Sequence, residues 1–217
     1  MNKLIVRVLI GVLALTVFSA ANASEVDESV DAAKGGHVDI VNISGSIEVY
    51  GWSESRVEVT GELGEKVEEL VLERNGDKVL VKVKVPRNNS NNISSDLTIR
   101  VPAGSSIDVS TVSADITSEG VTGEQRLHTV SGDVEAEVSG SDVSAESVSG
   151  DVDVTGDGSD IEVSANTVSG DVTVTDVSGA VSAEVVSGDV LVRDGSFDRA
   201  TLNSVNGEVD FQADLRD

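Results

Sequence analysis

The sequence predicts an all-β protein, a single-stranded parallel β-solenoid (β-helix-like) with about 18–20 residues per turn. Three observations predict it. A V-S-G-D-V motif or a close relative recurs with its first valine at Val112, Val130, Val148, Val168, Val186 and Val205, in steps of 18, 18, 20, 18 and 19 residues. Self-similarity near twenty residues marks stacked units that bury one another's apolar faces. The apolar complement is mostly valine, with five aromatics only (Phe18, Tyr50, Trp52, Phe197 and Phe211), and β-branched residues favour strands. Finally, apolar and polar residues alternate in short runs broken by Gly, Ser, Asn and Asp.

The chain opens with "MNKLIVRVLIGVLALTVFSAANA". Lys3 and Arg7 supply a positive start, Val8 to Phe18 an apolar run, and Ala21-Asn22-Ala23 a small-residue cleavage site. Residues 1–23 therefore read as a secretory signal peptide. The apolar run is too short for a comfortable membrane span, so no integral membrane domain is expected after cleavage. Losing Lys3 and Arg7 takes the formal charge from -24 to -26. Residues 24–36 are acidic and glycine-ended, and read as a flexible leader.

Residues 37–106 read as an N-terminal β region. Val38, Ile40, Ile47, Val49, Val57 and Val59 alternate with polar neighbours across tight turns. "GEKVEELVLERNGDKVLVKVKVP" reads as two strands about Asn75-Gly76, a strong hairpin signal. Over 63–73 an amphipathic helix competes, because Val67, Leu70 and Val71 share helical spacing; the turn that follows favours the strand. "RNNSNNISS" is a polar loop and "DLTIRVPAG" another strand. These strands are expected to act as first turns or as a cap.

Residues 107–217 carry the repeats, continuous with the N-terminal region. In the copy at 148, Val148, Gly150, Val152 and Val154 share one parity, while Ser149, Asp151 and Asp153 take the other. This assigns Val112, Val130, Val148, Val168, Val186 and Val205 to the interior as the repeat core. A second beat, with Val143, Ile161 and Val181, supplies another strand per period. The glycine allows a bend or a close approach. Asp133, Asp151, Asp171 and Asp189 would then form a carboxylate ladder, and like charges in register oppose one another.

Composition excludes several chemistries. With no cysteine there is no thiol nucleophile, thiolate metal site or disulfide. A charge of -24 disfavours nucleic acid as a partner. The two histidines, His37 and His128, are far apart in sequence and read as surface residues. No G-x-S-x-G elbow occurs, and no catalytic residue or cofactor is expected. Asp151, Asp153, Asp157, Asp160 and Glu162 lie at calcium-loop spacing with Gly156 at the sixth place. Against a Ca2+ site stand Gly158 at the eighth place, the absence of flanking helical patterns, and the better use of Val152 and Val154 as core. Tyr50 and Trp52 read either as packing over the first turn or as a contact patch for a partner.

Three features resemble the bacterial DUF4097 family of candidate adhesins: "VDIVNISGSIEVYGW", the bridge "DLTIRVPAGSSIDVSTVSADI" centred on Val101-Pro102-Ala103-Gly104, and the row of S-G-D-V units. The likeness covers roughly residues 35 to 217. It implies an exported, right-handed β-solenoid-like protein and brings no catalytic residues with it. Because the family usually carries further rungs, it also implies a shortened form or fragment at "FQADLRD". The expected function is that of an exported, non-enzymatic structural or adhesin-like protein of the bacterial cell envelope, periplasmic or at the cell surface, with an unknown protein or cell-surface partner. The alternative is an envelope-associated protein-binding accessory or stress-response module, and a polysaccharide-active enzyme ranks a distant third.

Overall fold

The computed structural model describes residues 24–87 and 91–216; the expected signal peptide lies outside the described residues. Among them the chain forms β1 (Ser24–Asp31), β2 (His37–Val41), β3 (Ser44–Trp52), β4 (Arg56–Leu63), β5 (Glu69–Asn75), β6 (Lys78–Lys84), β7 (Ser95–Pro102), β8 (Ser106–Ser110) and β9 (Ser113–Glu119). The repeat region continues with β10 (Gln125–His128), β11 (Val134–Glu137), β12 (Val143–Ser149), β13 (Val152–Thr155), β14 (Asp160–Ser169), β15 (Val172–Ser187), β16 (Val190–Asn206) and β17 (Val209–Leu215).

All of these strands belong to one sheet. It curls into two columns that share a single apolar core. One column runs β5, β6, β2, β8, β10, β12, β14, then the later halves of β15 and β16. The other runs β1, β4, β7, β3, β9, β11, β13, the earlier halves of β15 and β16, and β17. The long strands β15 and β16 pass through both columns and join them into a nearly closed mixed barrel.

This overturns the expected single-stranded parallel β-solenoid. β1 is antiparallel to β4, β4 to β7, and β5 to β6. Nor do the N-terminal strands form first turns in chain order, because β2 sits between β6 and β8, and β3 between β7 and β9. The cause is local. Parallel neighbours need long crossovers, whereas tight turns return a chain antiparallel. The N-terminal region has such a turn at Asn75-Gly76, where Gly76 takes φ 64°, while β2 and β3 already pair parallel with β6 and β7. The leader is corrected as well: Ser24–Asp31 pairs along its whole length with β4 and buries Val26. Its apolar residues, Val26 and Val30, are too few among carboxylates to announce a strand.

Other readings stand in the structure. Val79, Val81 and Val83 are buried on the second hairpin strand, as are Val38, Ile40, Ile47, Val49, Val57 and Val59. Within the repeats the interior is built from Val134, Val152, Val172 and Val190 on one side and Val143, Val163 and Val181 on the other.

The assigned repeat core is not there. Val112, Val130, Val148, Val168 and Val186 are 40–45% exposed, and Val205 is 67% exposed. Parity holds only along a straight strand. Instead β12 ends at Ser149 and β13 begins at Val152, with the chain turning between them. The turn resets the alternation, so Ser147 points in, Val148 out, and Val152 in again.

Glycine is required at this corner. Gly170 has φ 149°, and a Cβ there would lie 2.2 Å from the carbonyl oxygen of Gly150 one rung below. Only a residue without a side chain stacks so closely on its own copy. The residue before each outward valine closes the corner from inside. Thr129, Ser147, Thr167 and Ser204 donate their hydroxyls to the carbonyls of Ala114, Gly132, Gly150 and Gly188, at 3.1, 3.0, 2.9 and 2.8 Å. Val185 holds the equivalent place above Gly170 and has no hydroxyl to give.

Candidate functional site

The repeats write their outward chemistry as ladders. The aspartate ladder has internal partners. Asp115 Oδ1 accepts the backbone N–H of Asp133 at 3.0 Å, Asp133 that of Asp151 at 2.9 Å, and Asp151 that of Asp171 at 2.8 Å. Asp171 accepts from Asp189, and Asp189 from Glu208, both at 2.7 Å. A charge-assisted bond of this kind is roughly twice as strong as a neutral one. Each carboxylate thus satisfies a corner N–H that the turn would leave open, which offsets the like-charge repulsion between rungs.

The calcium-loop candidates are drawn apart. Asp151 serves that ladder. Asp157 turns back on its own loop, accepting from the N–H and hydroxyl of Ser159, and these bonds hold its carboxyl below the usual carboxylate range. Asp160 pairs with Arg216 at 2.7 Å, and Glu162 faces Arg199 at 3.6 Å. Among the described residues no group of three or more His, Asp or Glu side chains is placed to hold a metal ion.

Tyr50 and Trp52 do not cap a first turn, since β3 lies inside the stack. Both are half-buried. Tyr50 stands between Arg100 and Glu119 on the neighbouring strands. Its phenol pKa is pushed up, first by the charge of Glu48. Trp52 donates its indole N–H to the carbonyl of Arg56 at 2.9 Å, while the Arg56 guanidinium lies 5.0 Å from the ring centroid. That arrangement fastens the β3–β4 turn through a cation–π contact.

One constellation escaped sequence reading. His37 Nε2 lies 2.5 Å from Asp39 Oδ1, and His37 Nδ1 lies 2.8 Å from Ser106 Oγ. The register that sets β2 beside β8 brings Ser106 next to His37, 69 residues away in sequence. The carboxylate selects the tautomer with hydrogen on Nε2, leaving Nδ1 to accept from the serine. The residue types are those of a serine triad, but acyl transfer also needs donors aimed at an oxyanion. The Ser106 N–H is already given to the carbonyl of Gly36 at 3.0 Å. This trio ties the first repeat strand to β2.

The valines excluded from the core form the remaining ladder. Ser131 pairs with Ser149, Ser149 with Ser169, Ser169 with Ser187, and Ser187 with Asn206, so the adjoining valines stack one above the other. Beside them runs a second row, Ser110, His128, Glu146, Asn166, Glu184 and Asn203, each paired with the next. A shallow groove of about 330 Å³ lies between the two rows from His128 to Val205.

A mixed β-stack that displays its outward residues in ladders defines a repetitive all-β module. The chain belongs to the Toastrack DUF4097 family, whose model matches residues 37–215. No curated protein matches it. Among solved structures it is similar to a candidate adhesin from Bacteroides fragilis, at 14% identity and TM-score 0.48, covering 89% of this chain and 98% of that one. It is also similar to a candidate cell adhesion protein from Clostridium sporogenes, at 10% identity and TM-score 0.37, covering 88% and 100%. A third is a candidate lipid-binding protein from Parabacteroides distasonis, at 13% identity and TM-score 0.31, covering 88% and 98%.

Proposed function

We propose that the chain is an exported, non-enzymatic, adhesin-like module of the bacterial cell envelope that works through its long outer faces. The observation that carries this reading is the set of unbroken outward ladders on a corner-locked stack. They give regularity over many rungs. The signal-peptide reading of residues 1–23 supports export, and no helix among the described residues is long and apolar enough to cross a membrane. A charge of -24 directs binding away from nucleic acid and anionic lipid and towards a protein or cell-surface partner.

The test is fractionation of cells producing the full chain, with N-terminal sequencing of the product. A chain beginning at Ser24 in the periplasmic or surface fraction, and retained by whole cells when coated on beads, is the expected result. A cytoplasmic product that starts at Met1 sinks the reading. The exposed valine row favours a second reading, a protein-binding accessory module, which predicts retention by one envelope protein and not by whole cells.

A further inference from the structure

We infer that the valine ladder is a self-association surface on which a second copy of this chain docks antiparallel about a two-fold axis. The reading goes beyond the proposed function and does not depend on it. Six valines at 40–67% exposure stand in single file. Five steps of about 4.8 Å make a stripe roughly 24 Å long. Rows of serine on one side and of Ser110, His128, Glu146, Asn166, Glu184 and Asn203 on the other flank it.

The occupant follows from the order of residues in that second row. A two-fold axis between the rungs of Val148 and Val168 maps the six valines onto themselves. Val148 meets the partner's Val168, Val130 meets the partner's Val186, and Val112 meets the partner's Val205. The same operation sets Glu146 against the partner's Asn166, and Glu184 against the partner's His128. Ser110 meets the partner's Asn203. Both carboxylates of the row thus face an amide or an imidazole, and neither faces another carboxylate. An isologous contact demands such self-complementarity. Apolar rows bury against each other while the flanking polar row keeps its hydrogen-bonding partners.

Opposing charge sets the strength. Two copies at about -26 each repel at long range, and salt screens this over about 8 Å at physiological ionic strength. The stripe covers on the order of 500 Å² in total, below the ~1,200 Å² of a stable complex. The dimer is therefore weak, and it tightens as salt rises.

The test uses residues 24–217 in sedimentation equilibrium across concentration and salt, with two cysteine variants for register. The chain has no native cysteine to interfere. Expected are a monomer–dimer equilibrium that tightens with salt, a loss of at least about tenfold in affinity for Val168→Asp, and unchanged circular dichroism in that variant. Oxidising a mixture of Val148→Cys and Val168→Cys chains is expected to give a mixed disulfide dimer, with little from either variant alone. A chain that stays monomeric at all concentrations overturns the inference and leaves the stripe to a different partner. Cross-linking of the single variants alone overturns it too, since that requires parallel copies, as does a dimer indifferent to Val168→Asp.

Discussion

Replacing Gly170 by alanine tests the corner most directly. Its φ of 149° is one that a side chain disfavours, at a cost of roughly 1–3 kcal/mol. The new Cβ would also sit 2.2 Å from the Gly150 carbonyl oxygen, 2.6 Å from its carbon and 2.9 Å from Asp151 Oδ1. That carbonyl is held by the Thr167 hydroxyl at 2.9 Å, and the carboxylate by the Asp171 N–H at 2.8 Å. Neither retreats without breaking a rung contact, so overpacking adds about 1–3 kcal/mol. The sum is about 2–6 kcal/mol. Gly140 is the control: its φ is 74°, and a Cβ there meets nothing within 4 Å. Alanine at Gly140 carries only the left-handed penalty, about 1–2 kcal/mol. Urea unfolding of residues 24–217 reads the difference through far-ultraviolet circular dichroism, which senses every strand. With a slope near 2 kcal/mol/M, Gly170→Ala lowers the midpoint by roughly 1–3 M and Gly140→Ala by roughly 0.5–1 M. Equal midpoints for the two variants would falsify the claim that rung contact, beyond the backbone angle, requires glycine.

Three further measurements follow from the same structure. Val152→Ala empties a buried place and is expected to cost about 2 kcal/mol, while Val148→Ala stays within about 0.5 kcal/mol; equal losses would restore Val148 to the core. Thr167→Val leaves the Gly150 carbonyl without its hydroxyl and is expected to lose about 1–2 kcal/mol, whereas Val185→Thr offers one to Gly170 and gains up to about 1 kcal/mol. A Val185→Thr chain that melts below Thr167→Val rules that account out. Tyr50 is the single tyrosine, so its phenolate absorbance can be titrated directly. The charge of Glu48 raises its pKa, so ionisation is expected above the usual value near 10 and should move down in Glu48→Gln; an unmoved curve shows that Glu48 is not the cause.

The strands and the period were legible in the sequence because both are local. Alternation located the strand residues Val79, Val81 and Val83, and Asn75-Gly76 located their turn. The order of strands was not legible. Nothing in "VDIVNISGSIEV" states that β2 and β3 will lie between later strands, because that placement is settled by pairing across forty or more residues. The triad-like trio was hidden for the same reason: Ser106 acquires His37 only through that register.

The outward placement of the valine row is hidden from the sequence for a different cause, one that bears on what the repeat is for. Period and parity identify which residues are equivalent from turn to turn, but not which way a corner points them. The structure shows the corner spending its conserved-by-geometry places on closure: glycine for the close carbonyl, a hydroxyl from inside, and a carboxylate from outside for the next N–H. The outward valine enters none of these contacts, yet it recurs in all six copies, whereas the position two residues before it varies among Ser, His, Glu and Asn. Corner geometry alone would accept a polar residue there, at less risk of aggregation. An apolar residue kept at that place, rung after rung, is explained by something that covers it, and a second copy set antiparallel meets the requirement with the residues already present.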